Sequence, residues 1–454
     1  MAYSGEVKSA ENSVRRTPES AGDRYVPTHG NSGYVVSRYD LDLDYRVASN
    51  RLSGTAVITA TATERLEKFS FDLTHLSAEK VTIGRERARF TTAHRKLRIT
   101  PAKAIEAGAE FTVTVRYLGA PSPLRSSWGE VGFEELTEGV LVASQPNGAS
   151  TWFPCNDHPS NKATFKIAIT TDSPYRVIAN GKLTSSVAKA SRTRWVFESK
   201  QPMATYLATL QIGYYKGIEM PKSDVRERAF IPDDLTDNFV HDFAGQPAMI
   251  ETFERLFGEY PFDEYTVVVT DDELEIPLEA QGLSIFGRNH VDGEGGSNRL
   301  IAHELAHSWF GNSLTVEEWK HIWLHEGFAC YSEWLWSENS GGQSANQLAE
   351  HYWMKLHGLP QDFAIGDPGP DLMFDDRVYK RGALALHSLR LMLGDSGFFS
   401  MLRDWTSENR HGSVTTDQFI AHVSVRTERP VAEVLNHWLF DHTLPKLPRV
   451  TRGK

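Results

Sequence analysis

Two histidines and two glutamates at fixed spacings constrain this chain more than any other feature of its sequence. The segment His303–His307 reads His-Glu-Leu-Ala-His, and Glu326 follows after eighteen further residues. Residues four apart share one face of a helix, so His303 and His307 can direct imidazole nitrogens at the same ion. With 17 His among 454 residues, chance produces a His-Glu-x-x-His segment only roughly 0.04 times per chain. The pattern therefore predicts a metal site on a helix.

The residue types at this predicted site suit a catalytic zinc ion. Such an ion usually takes three protein ligands and leaves a fourth position to water. His303 and His307 supply two ligands, and Glu326 is the obvious candidate for the third. Zinc lowers the pKa of its bound water to roughly 7, and Glu304, which is not a ligand, can take the proton and later deliver it to a leaving amine. The residues predict one Zn²⁺ per chain and hydrolysis of a peptide bond.

A second pair of histidines, His321 and His325, is also spaced four apart. This pair lacks a base, because Ile322 stands where a catalytic glutamate would be needed. The residues from Trp319 to Leu324 look like a turn that enters the next helix. We expect His321 and His325 to be core or surface histidines with hydrogen-bond partners of their own.

At these motifs the chain resembles the zinc aminopeptidases related to aminopeptidase N and leukotriene hydrolase, whose signature is His-Glu-x-x-His, eighteen residues, then Glu. The resemblance implies that the two histidines and Glu326 bind zinc and that Glu304 is the general base and acid. The family also places a tyrosine in a downstream Tyr-x-Lys-Gly segment, where its hydroxyl stabilises the oxyanion of the tetrahedral intermediate. Tyr379, in Tyr-Lys-Arg-Gly, stands at that place and is the predicted oxyanion donor.

Family members also carry a Gly-x-Met-Glu-Asn strand, whose glutamate holds the free α-amino group of the substrate. The segment 276–283 matches it imperfectly, but it keeps the glutamate and the following Gly-Leu. The resemblance therefore implies that Glu279 anchors the amine and that Gly282 contributes to substrate binding. A carboxylate that selects an ammonium terminus distinguishes an aminopeptidase from an endopeptidase. Pro277 removes one backbone donor from this strand, and Glu273 and Glu275 are nearby alternatives as anchor.

A further family feature is a Gln or Glu of the amino-terminal domain that helps to bind the same amine. It lies shortly before a Phe-Pro-Cys-x-Asp-x-Pro segment, which here is 153–159, with His158 in place of the more usual acidic residue. Gln145 fits the position. On residue type alone, a glutamine in a solvated loop is the alternative interpretation.

The composition favours a multi-domain enzyme over a nucleic-acid-binding protein. A chain of 454 residues with 40% hydrophobic content is too long for one ordinary core. The net charge of −11 and the lack of a basic block argue against nucleic acid as a partner. Cys155 and Cys330 fall in different predicted domains, so no disulfide is expected and a reducing cytoplasm fits. The sequence has no stretch of about 18 apolar residues, so a membrane is not predicted as a partner.

Alternating apolar residues predict an antiparallel β-domain before a more helical part. We expect a flexible tail over residues 1–31, a β-domain over 32–216 and a catalytic domain over 217–454. The resemblance implies that the β-domain is saddle-shaped and that the catalytic domain is thermolysin-like and mainly helical. Strands are predicted around residues 39–47, 69–73, 111–117, 165–169 and 265–270, and helices around 243–257, 327–337 and 382–393.

The larger relatives end in a helical carboxy-terminal domain that narrows the approach to the active site, and this sequence stops before it. We therefore expect a more open cleft, or a partner or second copy that covers it. The sequence leaves the oligomeric state open.

The leading hypothesis is a zinc aminopeptidase that removes single residues from peptides with a free amino terminus. Two alternatives remain. One branch of the family hydrolyses epoxides with the same metal, and some relatives are catalytically silent scaffolds or binding proteins. A serine hydrolase is disfavoured, because the segment 282–286 reads Gly-Leu-Ser-Ile-Phe and lacks the second glycine of a nucleophile elbow. The sequence does not indicate which side chain is preferred at the substrate's first position.

Overall fold

The computed structural model describes residues 15–221 and 223–448. Its amino-terminal part is built from strands and its carboxy-terminal part mainly from helices, as the sequence predicts. The strands of the first part are β1 (Tyr34–Arg46), β2 (Arg51–Ala62), β3 (Phe69–Asp72), β4 (Leu76–Ile83), β5 (Glu86–Arg87), β6 (Arg89–Ala93), β7 (Lys96–Thr100), β8 (Glu110–Gly119), β9 (Leu124–Ser126), β10 (Gly129–Leu136), β11 (Gly139–Ala143), β12 (Lys162–Asp172), β13 (Arg176–Ala179), β14 (Lys182–Lys189), β15 (Arg192–Ala204) and β16 (Leu210–Gly213).

Half of these strands form one large sheet in the order β14-β15-β12-β1-β2-β8-β4-β5. Two smaller sheets have the orders β13-β16-β11-β10-β9 and β3-β7-β6. From Tyr39 to Tyr45 of β1 the apolar residues point into the core and the polar residues point outward, because side chains alternate between the two faces of a strand. Within this sheet the pair β1–β12 is parallel, with Leu41 opposite Ile167 and Leu43 opposite Ile169. The period-two pattern thus predicted the buried face correctly.

In the residues that the structure describes, the second part combines a five-stranded sheet with eight α-helices. The sheet has the order β17-β18-β19-β21-β20, in which β20 is an edge strand that pairs antiparallel with β21. The strands are β17 (Lys216–Glu219), β18 (Arg226–Ile231), β19 (Glu264–Thr270), β20 (Leu278–Ala280) and β21 (Leu283–Gly287), followed by the short pair β22 (Thr315–Val316) and β23 (Ser413–Val414).

The three helical stretches that the sequence predicts correspond to the second, fourth and sixth helices of this part. The sixth is interrupted at Gly394, whose φ of 73° is not helical. Among the described helices, none combines the length and the apolar character that crossing a bilayer requires. The helices are α1 (Thr236–Asp242), α2 (Gln246–Phe257), α3 (Asn298–Ala306), α4 (Trp323–Asn339), α5 (Ala345–His357), α6 (Asp376–Glu408), α7 (Thr416–Ser424) and α8 (Val431–Phe440).

The structure corrects the predicted flexible tail for residues 15–31, whereas residues 1–14 lie outside the described part. Tyr25 is only 3% exposed, and its hydroxyl donates to Asp367 over 2.6 Å. The carboxylate of Asp23 accepts from the backbone N–H of Trp319 at 3.0 Å. The segment therefore packs against the helical part. Its few apolar residues stand among polar ones, so no periodic pattern marked it.

The predicted boundary between residues 216 and 217 falls inside β17, which pairs with β18. The sheet that carries the predicted anchor strand therefore begins one residue before the predicted boundary. The division of the chain into domains stays a prediction.

Candidate active site

Helix α3 positions the two predicted histidine ligands. It begins at Asn298, His303 lies in its last turn, and His307 is the residue that ends it. The apolar neighbours Ile301 and Leu305 are fully buried, so the helix is held in the core. Ser297 precedes the helix, and its side chain makes no capping hydrogen bond. Asn298 instead accepts a hydrogen bond from the indole of Trp336 at 3.2 Å.

Helix α4 brings Glu326 to the same point. One carboxylate oxygen of Glu326 lies 3.5 Å from Nε2 of His303 and 3.6 Å from Nε2 of His307. All three side chains are buried, and the three potential ligand atoms lie within 4.8 Å of one another. The structure thus brings together the three residues that the sequence proposed as metal ligands.

The other nitrogen of each histidine ring has a partner that fixes the ring. Nδ1 of His303 lies 2.8 Å from a carboxylate oxygen of Glu333, and Nδ1 of His307 lies 3.0 Å from the carbonyl oxygen of Phe310. With Nδ1 donating to these oxygens, both Nε2 atoms keep a free lone pair toward Glu326. Glu333 was missed in the sequence, although it follows Glu326 by seven residues and therefore lies on the same face of α4.

The donor set fits zinc. Ligands at about 2.0–2.1 Å from a tetrahedral ion are separated by roughly 3.4 Å, close to the two measured separations of 3.5 and 3.6 Å. The site also gathers more carboxylates than nearby cations neutralise. Burial, together with the charges of Glu326 and Glu304, raises the pKa of Glu279 well above its usual range. A divalent cation would relieve this repulsion.

Glu304, the predicted general base, sits next to the ligands without being held by other side chains. It is 5% exposed, and its Oε2 atom is buried without a hydrogen-bond partner among the described residues. Burial raises the pKa of Glu304 to about 7, although the nearby His303 opposes that shift. A buried polar atom without a partner is costly, so this oxygen is suited to a partner from solvent or substrate.

Tyr379 reaches the site from α6, because α6 packs unusually closely against α4. A Cβ atom on Gly382 would lie 2.8 Å from the Cα of Gly327, and the reverse contact would be 2.9 Å, so neither position accommodates a side chain. The ring of Tyr379 lies over that of His303, with centroids 6.0 Å apart. Burial raises the pKa of Tyr379 well above its usual value, so its hydroxyl stays protonated and can donate.

The predicted amine anchor lies on the edge strand β20, beside the metal cluster. One carboxylate oxygen of Glu279 accepts a hydrogen bond from Gln145 Nε2 at 2.6 Å, so the two predicted amine-binding residues meet across the two parts of the chain. Potential ligand atoms of Glu279, Glu304 and His307 all lie within 4.8 Å of one another.

The neighbouring carboxylates do not share this position. Glu273 and Glu275, the alternatives as anchor, are exposed. Gly282 lies in the turn after β20 with a φ of 76°, where its carbonyl oxygen accepts from the N–H of Thr266 at 3.0 Å. The structure gives Gly282 a role in the turn, and a role in substrate binding stays a prediction.

The competing histidine pair has partners elsewhere, as expected. Nδ1 of His321 lies 2.9 Å from the hydroxyl of Thr416. Nε2 of His325 accepts from the backbone N–H of Val316 at 2.9 Å. Both histidines are buried, and burial lowers the pKa of each below its usual value. They are core histidines.

Comparison with known families agrees with this geometry. The Peptidase M1 N-terminal domain matches residues 35–207, and the Peptidase family M1 domain matches residues 242–438. The chain belongs to peptidase family M1. The predicted family and the predicted two-part fold are both confirmed.

Solved structures resemble nearly the whole chain. A mutant of an M1 zinc metallopeptidase from Deinococcus radiodurans superposes with a TM-score of 0.88 at 28% identity, covering 95% of this chain and 100% of that one. A second structure of that protein, with a Tyr-Ser-Ala substrate bound, also has a TM-score of 0.88, at 27% identity and the same coverage of both chains.

The curated relatives are longer proteins. Endoplasmic reticulum aminopeptidase 1 of Mus musculus is 25% identical over 397 residues, which span 79% of this chain and 42% of the relative. Probable aminopeptidase 2 of Sulfurisphaera tokodaii is 26% identical over 319 residues, or 64% of this chain and 40% of the relative. The chain therefore spans about two-fifths of the length of these relatives.

Proposed function

We propose that the protein is a zinc-dependent aminopeptidase that hydrolyses the first peptide bond of peptides with a free amino terminus. The observation that carries the proposal is the short distance between two clusters. Ligand atoms of Glu279, Glu304 and His307 lie within 4.8 Å of one another, and His307 also belongs to the metal cluster. A substrate amine held by Glu279 would place the carbonyl two bonds away beside Glu304. That spacing leaves room for one residue and favours an exopeptidase.

The side chains then have separate tasks. His303, His307 and Glu326 would hold the zinc ion, which supplies Lewis-acid activation of water and of the scissile carbonyl. Glu304 accepts the proton of the attacking water on its unpartnered oxygen and passes it to the leaving amine. The hydroxyl of Tyr379 donates to the oxyanion that develops at the carbonyl.

The amine would be held from both parts of the chain. The carboxylate of Glu279 attracts the ammonium group, and Gln145, bonded to that carboxylate at 2.6 Å, offers its amide oxygen as a further acceptor. The neighbour with bound Tyr-Ser-Ala supports a peptide as the substrate. A blocked terminus carries no charge and would lose this anchor.

The alternatives receive less support. The three predicted metal ligands lie together with Glu304 and Tyr379, which argues against a catalytically silent scaffold. No contact among the described residues favours epoxide hydrolysis over peptide hydrolysis. The proposed compartment is the cytoplasm, and the two cysteines, both buried as free thiols, agree with a reducing environment. Immunodetection of the protein in fractionated cells of its source would test the compartment.

The experiment that tests the function is release of a fluorogenic amine from a panel of aminoacyl substrates, each compared with its amino-blocked form. We expect cleavage of the free-amine forms only, and loss of cleavage on chelation and in Glu304→Gln. Glu273→Gln, which changes an exposed acid, is the matched control and should keep full activity. Equal cleavage of the free-amine and the blocked substrates would contradict the assignment as an aminopeptidase. Absence of cleavage by the zinc-loaded protein would contradict the assignment as a peptidase.

A further inference from the structure

A cavity of about 320 Å³ lies between the two parts of the chain, away from the metal cluster. One wall comes from β13 to β15 and includes Leu183, Trp195 and Phe197, and the other comes from β17 and β18. Gly217 and Glu219 line it and are exposed, so they mark its mouth. The volume corresponds to roughly ten water molecules and lies at the lower end of small-molecule sites.

Two guanidinium groups converge on one aromatic ring of this cavity. The Cζ atoms of Arg176 and Arg228 lie 5.4 Å and 5.7 Å from the centroid of Phe230, within the range of cation–π contacts. Arg228 is paired with Glu264. Arg176 forms no ion pair with any residue that the structure describes. The cavity therefore carries a guanidinium whose charge is balanced only by the ring and by solvent.

The other acid at the cavity does not compensate Arg176. Glu219, at the mouth, forms a salt bridge with Arg226 at 2.7 Å. In the register of β17 and β18, Glu219 lies opposite Arg228. Among the described residues that line the cavity, Arg176 therefore keeps a cation without an anionic partner. That excess cation favours an anionic ligand.

The position of Arg176 depends on Gly217. A Cβ atom at residue 217 would lie 2.7 Å from Nη1 of Arg176, so glycine leaves the space that the guanidinium occupies. A planar guanidinium can bind a carboxylate through two parallel hydrogen bonds. The aromatic and aliphatic side chains on the opposite wall would cover an apolar group attached to that carboxylate.

We propose that this cavity binds a small apolar carboxylate, with its carboxylate on Arg176 and its apolar part against Leu183, Trp195 and Phe197. Two sources share this chemistry, namely a free carboxylic acid and the carboxy-terminal residue of a peptide. The proposal does not depend on the proposed peptidase activity, because none of its residues belongs to the metal or amine cluster.

Isothermal titration calorimetry on the full zinc-loaded chain tests the proposal. The probes are 4-phenylbutyrate for the free acid and N-acetyl-alanyl-phenylalanine for the peptide terminus, each beside its neutral amide. We expect at least one acid to bind with a Kd at or below about 1 mM and its amide to bind at least about tenfold more weakly. The acid that binds identifies the source.

Two variants localise the binding. Arg176→Gln should weaken it at least about tenfold. Gly217→Ala should weaken it less, because its methyl group only displaces the end of the flexible Arg176 side chain. Arg194→Gln, which removes an exposed arginine paired with Asp42, is the matched control and should leave binding unchanged. Thermal melting of each variant checks that it folds.

Three outcomes would overturn the proposal. They are no binding of either acid up to about 10 mM, equal binding of acid and amide, and binding that Arg176→Gln leaves unchanged. Binding that disappears on chelation but persists in Arg176→Gln would belong to the metal cluster and would overturn it as well.

Discussion

The cleft has a proposed metal-binding half and a proposed amine-binding half, and the two are assembled in different ways. The three candidate metal ligands all lie between positions 303 and 326, on the adjacent helices α3 and α4. The two proposed amine-binding residues, Gln145 and Glu279, are 134 positions apart and come from the β-rich part and from an edge strand of the other part. The first half is thus a product of local helix geometry, and the second depends on how the two parts dock.

The supporting contacts follow the same division. The histidines of the metal half are held by Glu333 and by the carbonyl of Phe310, both within the helical part. Strand β20 of the amine half is held by the side chain of Asn312, which donates to the carbonyl of Ala280 at 3.0 Å. The carbonyl of Asn312 in turn accepts from Lys162 of β12. Changes in the metal half should therefore alter kcat or zinc content, whereas changes in the amine half should alter KM.

Among the substitutions that compare the two halves, the largest effect is expected at Tyr379, which would act on the reaction and not on the binding of the amine. In Tyr379→Phe we expect kcat to fall about 10²–10³-fold, the usual loss of one oxyanion donor. KM and zinc content should stay close to those of the parent, as measured by steady-state kinetics and metal analysis. Tyr214→Phe, at an exposed tyrosine, is the control. An unchanged kcat would remove Tyr379 from the chemistry.

The next effect is expected at Glu333, which orients His303 without binding the metal. Glu333→Gln weakens the acceptor on Nδ1 of His303, and partners of metal ligands typically contribute 10–100-fold to metal affinity, so we expect a loss of about that size. Titration with a competing chelator measures it. Glu350→Gln, at an exposed position on α5, should leave zinc affinity unchanged. Zinc affinity equal to the parent's would show that the helices alone fix the ring.

A smaller effect, confined to recognition, is expected at Glu279. Glu279→Gln replaces a charged acceptor by a neutral one, so KM for free-amine substrates should rise at least about tenfold. Zinc content should not change. Glu275→Gln, at the exposed alternative, should behave like the parent. If zinc is lost together with affinity for substrate, the two halves of the cleft are not separable at this residue.

What the sequence predicted follows this division too. The spacing of His303, His307 and Glu326 needs only a helix to bring two ligands together, so the residues alone predicted most of the metal half. Glu333 also lay within reach of helical spacing but was overlooked. The contact between Gln145 and Glu279 could be anticipated only from resemblance to a family, because residue types do not encode a meeting of positions so far apart.

The contacts between the two parts were the least predictable. The segment 15–31 has too few apolar residues to show a period, yet Tyr25 and Asp23 bind the helical part through hydrogen bonds. Lys162 belongs to a strand whose pattern predicts only its buried face. The contact of its amine with the other part of the molecule depends on how the two folded parts dock. Local sequence patterns do not describe that docking.

The smallest effect is expected at Lys162, the contact that links the two parts behind the cleft. Its amine donates to the carbonyls of Asn312, Ser313 and Gly412 at 3.0, 2.8 and 3.2 Å. In Lys162→Met the carbonyl of Ser313 loses this donor, whereas the carbonyls of Gly412 and Asn312 still accept from the backbone N–H and the hydroxyl of Thr315 at 3.1 and 3.3 Å. We expect the free energy of unfolding to fall by roughly 1–3 kcal/mol, the usual cost of unsatisfied buried groups.

Activity should report the same link, because Asn312 also holds strand β20. In Lys162→Met we expect a severalfold rise in KM with kcat and zinc content unchanged. Lys166→Met changes an exposed lysine on the same strand and controls for the loss of one charge. A drop in kcat or zinc content without a change in KM would mean that the contact supports the metal half. The proposed division between the metal half and the amine half would then be wrong at the contact that links the two parts of the chain.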